Sequence, residues 1–431
     1  MGRTNSDPGG AAPARARHRS ALSDRRFLVY TMANGISSLG LWVQRLAIGW
    51  LSWELTHSEI WVGVIAFSLM GPTFFLSPFF GVWIDRLEPL RTATAINVLT
   101  ALWATMLALF SLAGMLRIEM LFAISVLIGI TSAAYAPTRI SILPALVPRE
   151  LLPSAIGISA MIFNGSRLLG PAIAGAVLVA LPMAAAFLIN AITYAPLIYA
   201  LAKVRSAPAP KPPKEPFFRQ LAEGFAYAGT HPFIRLQLLL TAWGALFGRS
   251  ILEVLPVYAD RLYAASTGGL AILSGAAGAG ALVAAFLSSR QRFDSRGLQL
   301  GSISLAVVNA AALLVLPVYD NLWLGAFCVM LVGFGSTGSA VLSQTLVQVE
   351  VEDRIRGRVS SLWGMASLGG SAFGGLTLGI LLRLLDVHHA TLVTAVIALV
   401  MPAIAWRIVW RRKPEPRRGL ESAPLETVAP E

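Results

Sequence analysis

A chain of 431 residues that is 56% hydrophobic and only 13% charged, with a mean hydropathy of +0.68, falls outside the ordinary soluble classes. Its formal charge of +12 invites a nucleic-acid reading, but about 28 of the 34 Lys and Arg lie in the two ends and the even-numbered connections between apolar segments, as a membrane surface imposes. The single cysteine, Cys328, excludes an intramolecular disulfide and a thiolate metal cluster.

Residues 1-26 are rich in Arg, Gly, Ala and Pro without apolar periodicity and read as a disordered tail beside anionic headgroups. Twelve apolar segments follow, at 27-52, 60-84, 92-115, 119-146, 153-180, 184-203, 233-258, 267-289, 297-317, 321-347, 357-383 and 388-410. Each approaches the ~20 residues that carry a helix across ~30 Å of hydrocarbon, where only internal hydrogen bonds satisfy the backbone. The first segment is too long for a signal-peptide core and lacks a small-residue cleavage site, so it counts as a span. These segments group as two six-helix halves, 27-203 and 233-410.

Between the halves, 204-232 opens with Ala207-Pro208-Ala209-Pro210-Lys211-Pro212-Pro213, a stiff cationic linker. Phe217, Phe218, Leu221 and Phe225 then recur at helical spacing and predict a short helix lying in the membrane interface. Residues 411-431 form a second disordered tail. Only Arg117, Arg261 and Arg383 fall on the side opposite the other connection charges, which places both termini in the cytoplasm of a bacterial inner-membrane protein. The expected fold is all-α and integral to the membrane, twelve transmembrane helices in two pseudo-symmetric bundles. An offset of 204 residues supports the duplication: Leu127-Ile128-Gly129 falls on Leu331-Val332-Gly333, Val147 on Val351, and Leu169-Gly170-Pro171 through Gly175 on Phe373-Gly374-Gly375 through Gly379.

The second segment ends Gly81-Val82-Trp83-Ile84-Asp85-Arg86, which resembles the signature of the major facilitator superfamily. The resemblance makes Gly81, Asp85 and Arg86 a cytoplasmic latch against the eleventh helix, beginning near Gly357, that holds the outward-open state. Leu87-Glu88-Pro89-Leu90 departs from the family's Gly and basic pair, so only Asp85 and Arg86 carry over firmly. Pro137-Thr138-Arg139, Leu143-Pro144-Ala145-Leu146-Val147-Pro148-Arg149-Glu150 and the run Asn164 to Gly175 are similar to the branch that holds enterobactin exporters and related multidrug efflux proteins. Within the fifth segment Gly157, Ser166, Gly170, Pro171 and Gly175 fall where the family's antiporter motif places its glycines and Gly-Pro pair. Small side chains allow close helix packing, and Pro171 supplies a kink.

Three arginines lie within spans. A charged side chain at mid-membrane costs at least ~2.5–3.5 kcal/mol, so each needs a partner or a water-filled cavity. Arg167 lies fourteen residues into the fifth segment, about 21 Å at 1.5 Å per residue. It either faces the pathway or ties to Asn164. Arg45, beside Gln44, either faces the pathway or snorkels outward. Arg249 precedes Glu253 by one turn, which predicts an i,i+4 pair. That pair is either a static strut or a site where Glu253 carries a coupling proton and the arginines tune it or bind an anionic substrate. Glu54 sits at the outer end of the first segment, and no other span holds a comparably deep carboxylate. Asn34, Asn97, Asn190, Asn309, Gln344 and Gln348 read as interhelical hydrogen bonds, and Trp50, Trp53, Trp61, Trp406 and Trp410 as interface anchors. His388 and His389 read as surface residues.

There is no phosphate-cradling Gly-Lys-Ser or Gly-Lys-Thr loop, no His-Glu zinc motif and no nucleophile constellation, so an enzyme is the weaker class. The leading expectation is proton-driven export of a small amphipathic molecule, a drug or siderophore, by a monomer that needs no cofactor, no metal and no nucleic acid. By family analogy helices 1, 4, 7 and 10 line the cavity, while 5, 8 and 11 rock against each other. An uptake carrier or lysolipid flippase of the same fold, and a non-transporting membrane sensor or scaffold, remain as alternatives.

Overall fold

The computed structural model describes residues 20–84, 87–204, 217–290 and 294–411. The described residues are helical throughout, with no strand among them. The helices are α1 (Arg25–Thr56), α2 (Glu59–Ile84), α3 (Pro89–Leu112), α4 (Ile118–Ser141), α5 (Leu143–Leu146), α6 (Leu152–Ala180), α7 (Met183–Ala202), α8 (Phe217–Thr230), α9 (Pro232–Trp243), α10 (Leu255–Arg261), α11 (Thr267–Arg290), α12 (Ser295–Val315), α13 (Leu322–Glu350), α14 (Asp353–Leu384) and α15 (Val387–Arg411). Among the described residues nine helices are long and apolar enough to cross a membrane. Three further members pack along them: α1, α6, and the interrupted run from α9 to α10.

Local chemistry moves several boundaries. The Asp24 carboxylate accepts from the N–H groups of Arg26 and Phe27, at 2.8 and 3.3 Å, so α1 begins at Arg25. The Ala21 N–H donates to Ser154 Oγ at 3.0 Å, and residues 20–26, expected in a disordered tail, form a short turn and the start of α1. The rest of that tail and nearly all of 411-431 lie outside the described residues. The predicted span 119-146 is two helices, because Pro144 has no N–H to continue α4 and instead occupies the first turn of α5. The eleventh span starts at Asp353, four residues before Gly357.

The largest departure is in the seventh span, expected as one helix over 233-258. After α9, Gly244–Gly248 widens into a π-turn, with the Arg249 N–H reaching back to the Gly244 carbonyl at 2.9 Å. Ser250–Glu253 then tightens to a 3-10 turn before α10 restarts. Pro256 in the first turn of α10 lacks the donor an unbroken α-helix would need there. Such interruptions mark functional positions in membrane helices, since the freed backbone must lie in protein or beside a cavity.

Each half packs by the same rule. Gly129 of α4 abuts the Ser68 carbonyl of α2, and Gly333 of α13 abuts the Ala277 carbonyl of α11, each leaving no room for a Cβ. These two glycines are 204 residues apart. Gly170 of α6 meets Trp42 of α1, and Gly374 of α14 meets the backbone of Leu246, again at the same offset. Between the halves, α6 crosses α11 where Gly175 meets Ala271, and α14 crosses α2 where Gly379 meets Glu59 and Gly63. The expected grouping of helices 5, 8 and 11 therefore resolves into two separate crossings, 5 with 8 and 2 with 11.

The start of α1 and the end of α15 lie at one end of the bundle, here the terminal end; the connections near 57, 114, 182, 264, 320 and 386 mark the distal end. One cluster of buried apolar residues joins the halves, through Val43, Trp53, Val62, Leu178, Val257 and Leu270 among others, and it occupies the distal side. Toward the terminal end the described core divides, with Phe27, Leu143 and Leu197 in one half and Ile234, Val347 and Val359 in the other. The halves are closed against each other distally.

Candidate functional site

Below the distal closure a cavity of about 210 Å³, continuous with solvent, separates the halves. Its wall takes Trp42, Arg45 and Leu46 from α1, Leu69 from α2, Pro171 from α6, Arg249 and Glu253 from the interrupted seventh span, Ser274 from α11, Gln344 from α13 and Trp363 from α14. The cavity runs toward the terminal end as far as Gln344 and Trp363.

Arg45 is the centre of the charged cluster. Its Nη2 donates to Glu253 Oε2 at 2.6 Å, across the boundary between halves, and lies 2.8 Å from Met70 Sδ. The guanidinium also sits 5.3 Å from the Trp42 ring centroid. The side chains are 25% and 7% exposed for Arg45 and Glu253, so Arg45 turns inward rather than to a headgroup. A pair this sheltered is held by geometry, since each charge gives up water to reach the other.

The expected Arg249–Glu253 i,i+4 strut does not form. The π-turn and 3-10 turn shift the helical phase between the two residues, and Glu253 is committed to Arg45. Arg249 still lines the cavity with Glu253 and Arg45 as its charged neighbours, but its Nε has no hydrogen-bond partner. Gln44, placed on the pathway by its position beside Arg45, points the other way. It is 1% exposed, and its Oε1 accepts from Asn190 Nδ2 of α7 at 2.6 Å. Consecutive helical residues diverge by about 100°, so only one of the two can face the cavity.

The side chains of Asn164 and Arg167, and the latch residues Asp85 and Arg86, lie outside the described residues, while Gly81 falls in the last turn of α2. Gly357 is exposed with open space at its Cβ position, so it makes no close helix approach. In α6, Gly170 and Gly175 pack tightly, Ser166 is buried and Pro171 faces the cavity, whereas Gly157 touches nothing. Gly280 of α11 packs within its own half, against the backbone of α13 at Met330.

The sequence reading passed over a second ion pair between the halves. Arg261 Nη2 at the end of α10 lies 3.3 Å from Glu59 Oε1 in the first turn of α2, and the Glu59 side chain is 8% exposed. Arg261 also stands 5.5 Å from the ring of Trp53. Trp50 and Trp53 are buried in the distal closure rather than anchored at an interface, whereas Trp406 and Trp410 stack at 5.8 Å on the exposed face of α15. The sequence signal for Glu59 was its place just after a helix start, where an acidic residue is ordinarily a capping charge. Ser274 was masked by the small-residue run around it.

No cluster of His, Cys, Asp and Glu able to hold a metal occurs among the described residues. The constellation is a charged, partly open chamber between two matched bundles, closed on one side.

Comparison with known proteins agrees. The family model described as transmembrane secretion effector matches residues 18–423. The chain is 26% identical over 369 residues to the MFS-type transporter YfiS of Bacillus subtilis, covering 79% of this chain and 84% of that one. It is 24% identical to the staphyloferrin A transporter of Staphylococcus aureus (77% and 84% covered) and 26% identical to the enterobactin exporter EntS of Escherichia coli O81 (82% and 84%). Among solved structures it shares the fold of a bacterial homologue of the iron transporter ferroportin in an inward-facing state, with TM-score 0.67, 15% identity, and 90% and 99% of the two chains covered. It shares that fold equally with an inward-facing bacterial homologue of the lysosomal transporter Spinster, with TM-score 0.65, 16% identity, and 89% and 96% covered. The chain is a multi-pass membrane transporter, not an enzyme, and belongs to the major facilitator superfamily, in its transmembrane secretion effector family.

Proposed function

We propose that this transporter exports a small amphipathic molecule, a drug-like compound or a siderophore, from the cytoplasm in exchange for protons. The positive-inside distribution of Lys and Arg supports a bacterial inner-membrane location with both termini cytoplasmic. On that orientation the distal end is periplasmic, and the cavity faces the cytoplasm, where a substrate for export is loaded. The protein works as a monomer, with the proton gradient as its driving force and no cofactor. The name of the EntS relative, enterobactin exporter, supports the direction.

The observation that carries the reading is the ion pair between Arg45 and Glu253. It joins the two halves and borders the cavity, so its carboxylate can couple proton binding to the distal closure. With Glu253 ionised, the pair holds the distal end shut. Protonation removes the attraction, so the protonated carrier is free to reorient while the empty, ionised carrier stays locked, as exchange requires; a ligand shifts a conformational equilibrium only through its differential affinity for the two states. The Glu59–Arg261 pair acts as an outer tie in series with it.

The test is uptake into inverted membrane vesicles of a panel of dyes, antibiotics and siderophores, with and without a proton gradient. Accumulation is expected only with the gradient. Accumulation that persists after collapse of the gradient would remove proton coupling, and no accumulation of any compound would remove export.

A further inference from the structure

We propose that the substrate held in this cavity is an organic anion: an apolar or aromatic body bearing one acidic group, carboxylate or phosphate, gripped by Arg249 and Ser274. The inference rests on the reading of the cavity as the transport site. It narrows the substrate class and disfavours the lipophilic cations typical of a multidrug pump.

Charge balance comes first. Among the described residues of the cavity wall there are two guanidinium groups, Arg45 and Arg249, and one carboxylate, Glu253. Arg45 takes that carboxylate at 2.6 Å, which leaves one positive charge uncompensated at Arg249. Hydrogen bonding points the same way. Arg249 Nε and Ser274 Oγ are both buried and both lack a partner, and Ser274 is 1% exposed. They come from different elements of the same half, the interrupted seventh span and α11, and both line the cavity. Buried donors without acceptors are rare in folded proteins and mark a missing partner. An oxyanion supplies acceptors for both and neutralises the guanidinium, which favours planar acidic groups. Apart from Thr337 and Gln344 the remaining wall is apolar or aromatic, with Leu46, Leu69, Val341, Trp42 and Trp363 among its residues, and suits the body of such a molecule. A cation would meet the surplus positive charge, and a neutral analogue would leave it unpaired.

The same balance gives a signature that a merely structural arginine would not produce. Glu253 is the one negative charge beside Arg249 and would repel the substrate's acidic group, so neutralising Glu253 should tighten anion binding. The experiment is equilibrium binding to the full-length transporter in nanodiscs of neutral lipid, using 2-naphthoate, 2-naphthamide and 2-naphthylmethylammonium as a size-matched set. Naphthoate is expected to bind about tenfold tighter than the amide, the worth of one charge-assisted contact, and the ammonium to bind weakest. Arg249→Gln should erase the preference, Arg249→Lys should keep it in part, Ser274→Ala should weaken it, and Glu253→Gln should enlarge it. Elution of each variant as a monodisperse peak guards against misfolding. Equal binding of naphthoate and naphthamide, no naphthoate binding, or a preference that survives Arg249→Gln would overturn the proposal. Because the measurement needs no gradient and no turnover, its failure is separate from failure of proton-driven export in vesicles.

Discussion

Arg45 and Glu253 carry the most information of any two residues here, because one short contact ties the halves at the wall of the cavity. Removing Glu253 leaves the Arg45 guanidinium without a carboxylate, beside Met70, Trp42 and the cavity. Breaking a sheltered pair in this way costs on the order of 3–5 kcal/mol, far more than the pair's net worth. Glu253→Gln is therefore expected to cut gradient-driven transport in vesicles at least about tenfold while membrane insertion is unchanged. The exchange Arg45→Glu with Glu253→Arg should recover a substantial part of the closure. If the single variant transports at the parental rate, Glu253 is not the coupling carboxylate. The sequence made both residues visible as intramembrane charges but assigned Glu253 the wrong partner. Spacing along the chain predicts a pair only while the helix is regular, and here it is not.

At the scale of elements, the recurrent event is close approach of two backbones at glycine. Gly129 and Gly333 occupy equivalent places in α4 and α13, each against a carbonyl of the neighbouring helix. A leucine at either must push the helices apart, a strain of about 1–3 kcal/mol or more. Gly129→Leu and Gly333→Leu should each lower the melting temperature of the detergent-purified protein by several degrees, whereas Gly157→Leu, where nothing stands within reach, should not. Equal effects at all three positions would mean that the glycines serve the membrane environment rather than the crossing. A capping charge offers a pH-dependent counterpart. The Asp386 carboxylate accepts from the N–H and ring of His389 and from the N–H of His388, which pull its pKa from 3.8 to about 2. Its contribution to the start of α15 is thus present above about 4 and lost as the pH falls through about 2. The protection of amides 388–391 from hydrogen exchange, taken relative to the intrinsic rate at each pH, should hold down to about pH 4 and fall below it. The interrupted seventh span belongs to this scale too: Pro256 was legible as a helix-breaking residue, but a π-turn followed by a 3-10 turn was not, because hydropathy is indifferent to how a backbone is wound.

For the molecule as a whole, the halves meet distally and stand apart around the cavity below, the arrangement that the proposed exchange would have to open. If Glu59 and Arg261 must part during turnover, joining them should stop it. Glu59→Cys with Arg261→Cys, bridged by a short bis-methanethiosulfonate, is expected to block transport, and reduction to restore it. Cys328 is buried, so the background labelling is low. Full transport after complete bridging would show that the distal end never opens at this point.

The sequence alone determined the class of structure, the twelve spans, the division into halves and the 204-residue correspondence. These follow from the need to satisfy every backbone polar group internally within a membrane, and from small residues recurring where helices cross. Tertiary structure alone decided which charges meet, that Gln44 faces α7 while Arg45 faces the cavity, that Glu59 and Arg261 close the distal end, and that Arg249 and Ser274 are left with donors to spare. Such pairings depend on helix rotation and on the local winding of the seventh span. Neither is set by hydropathy, because an apolar run reads the same whichever face it turns to its neighbours.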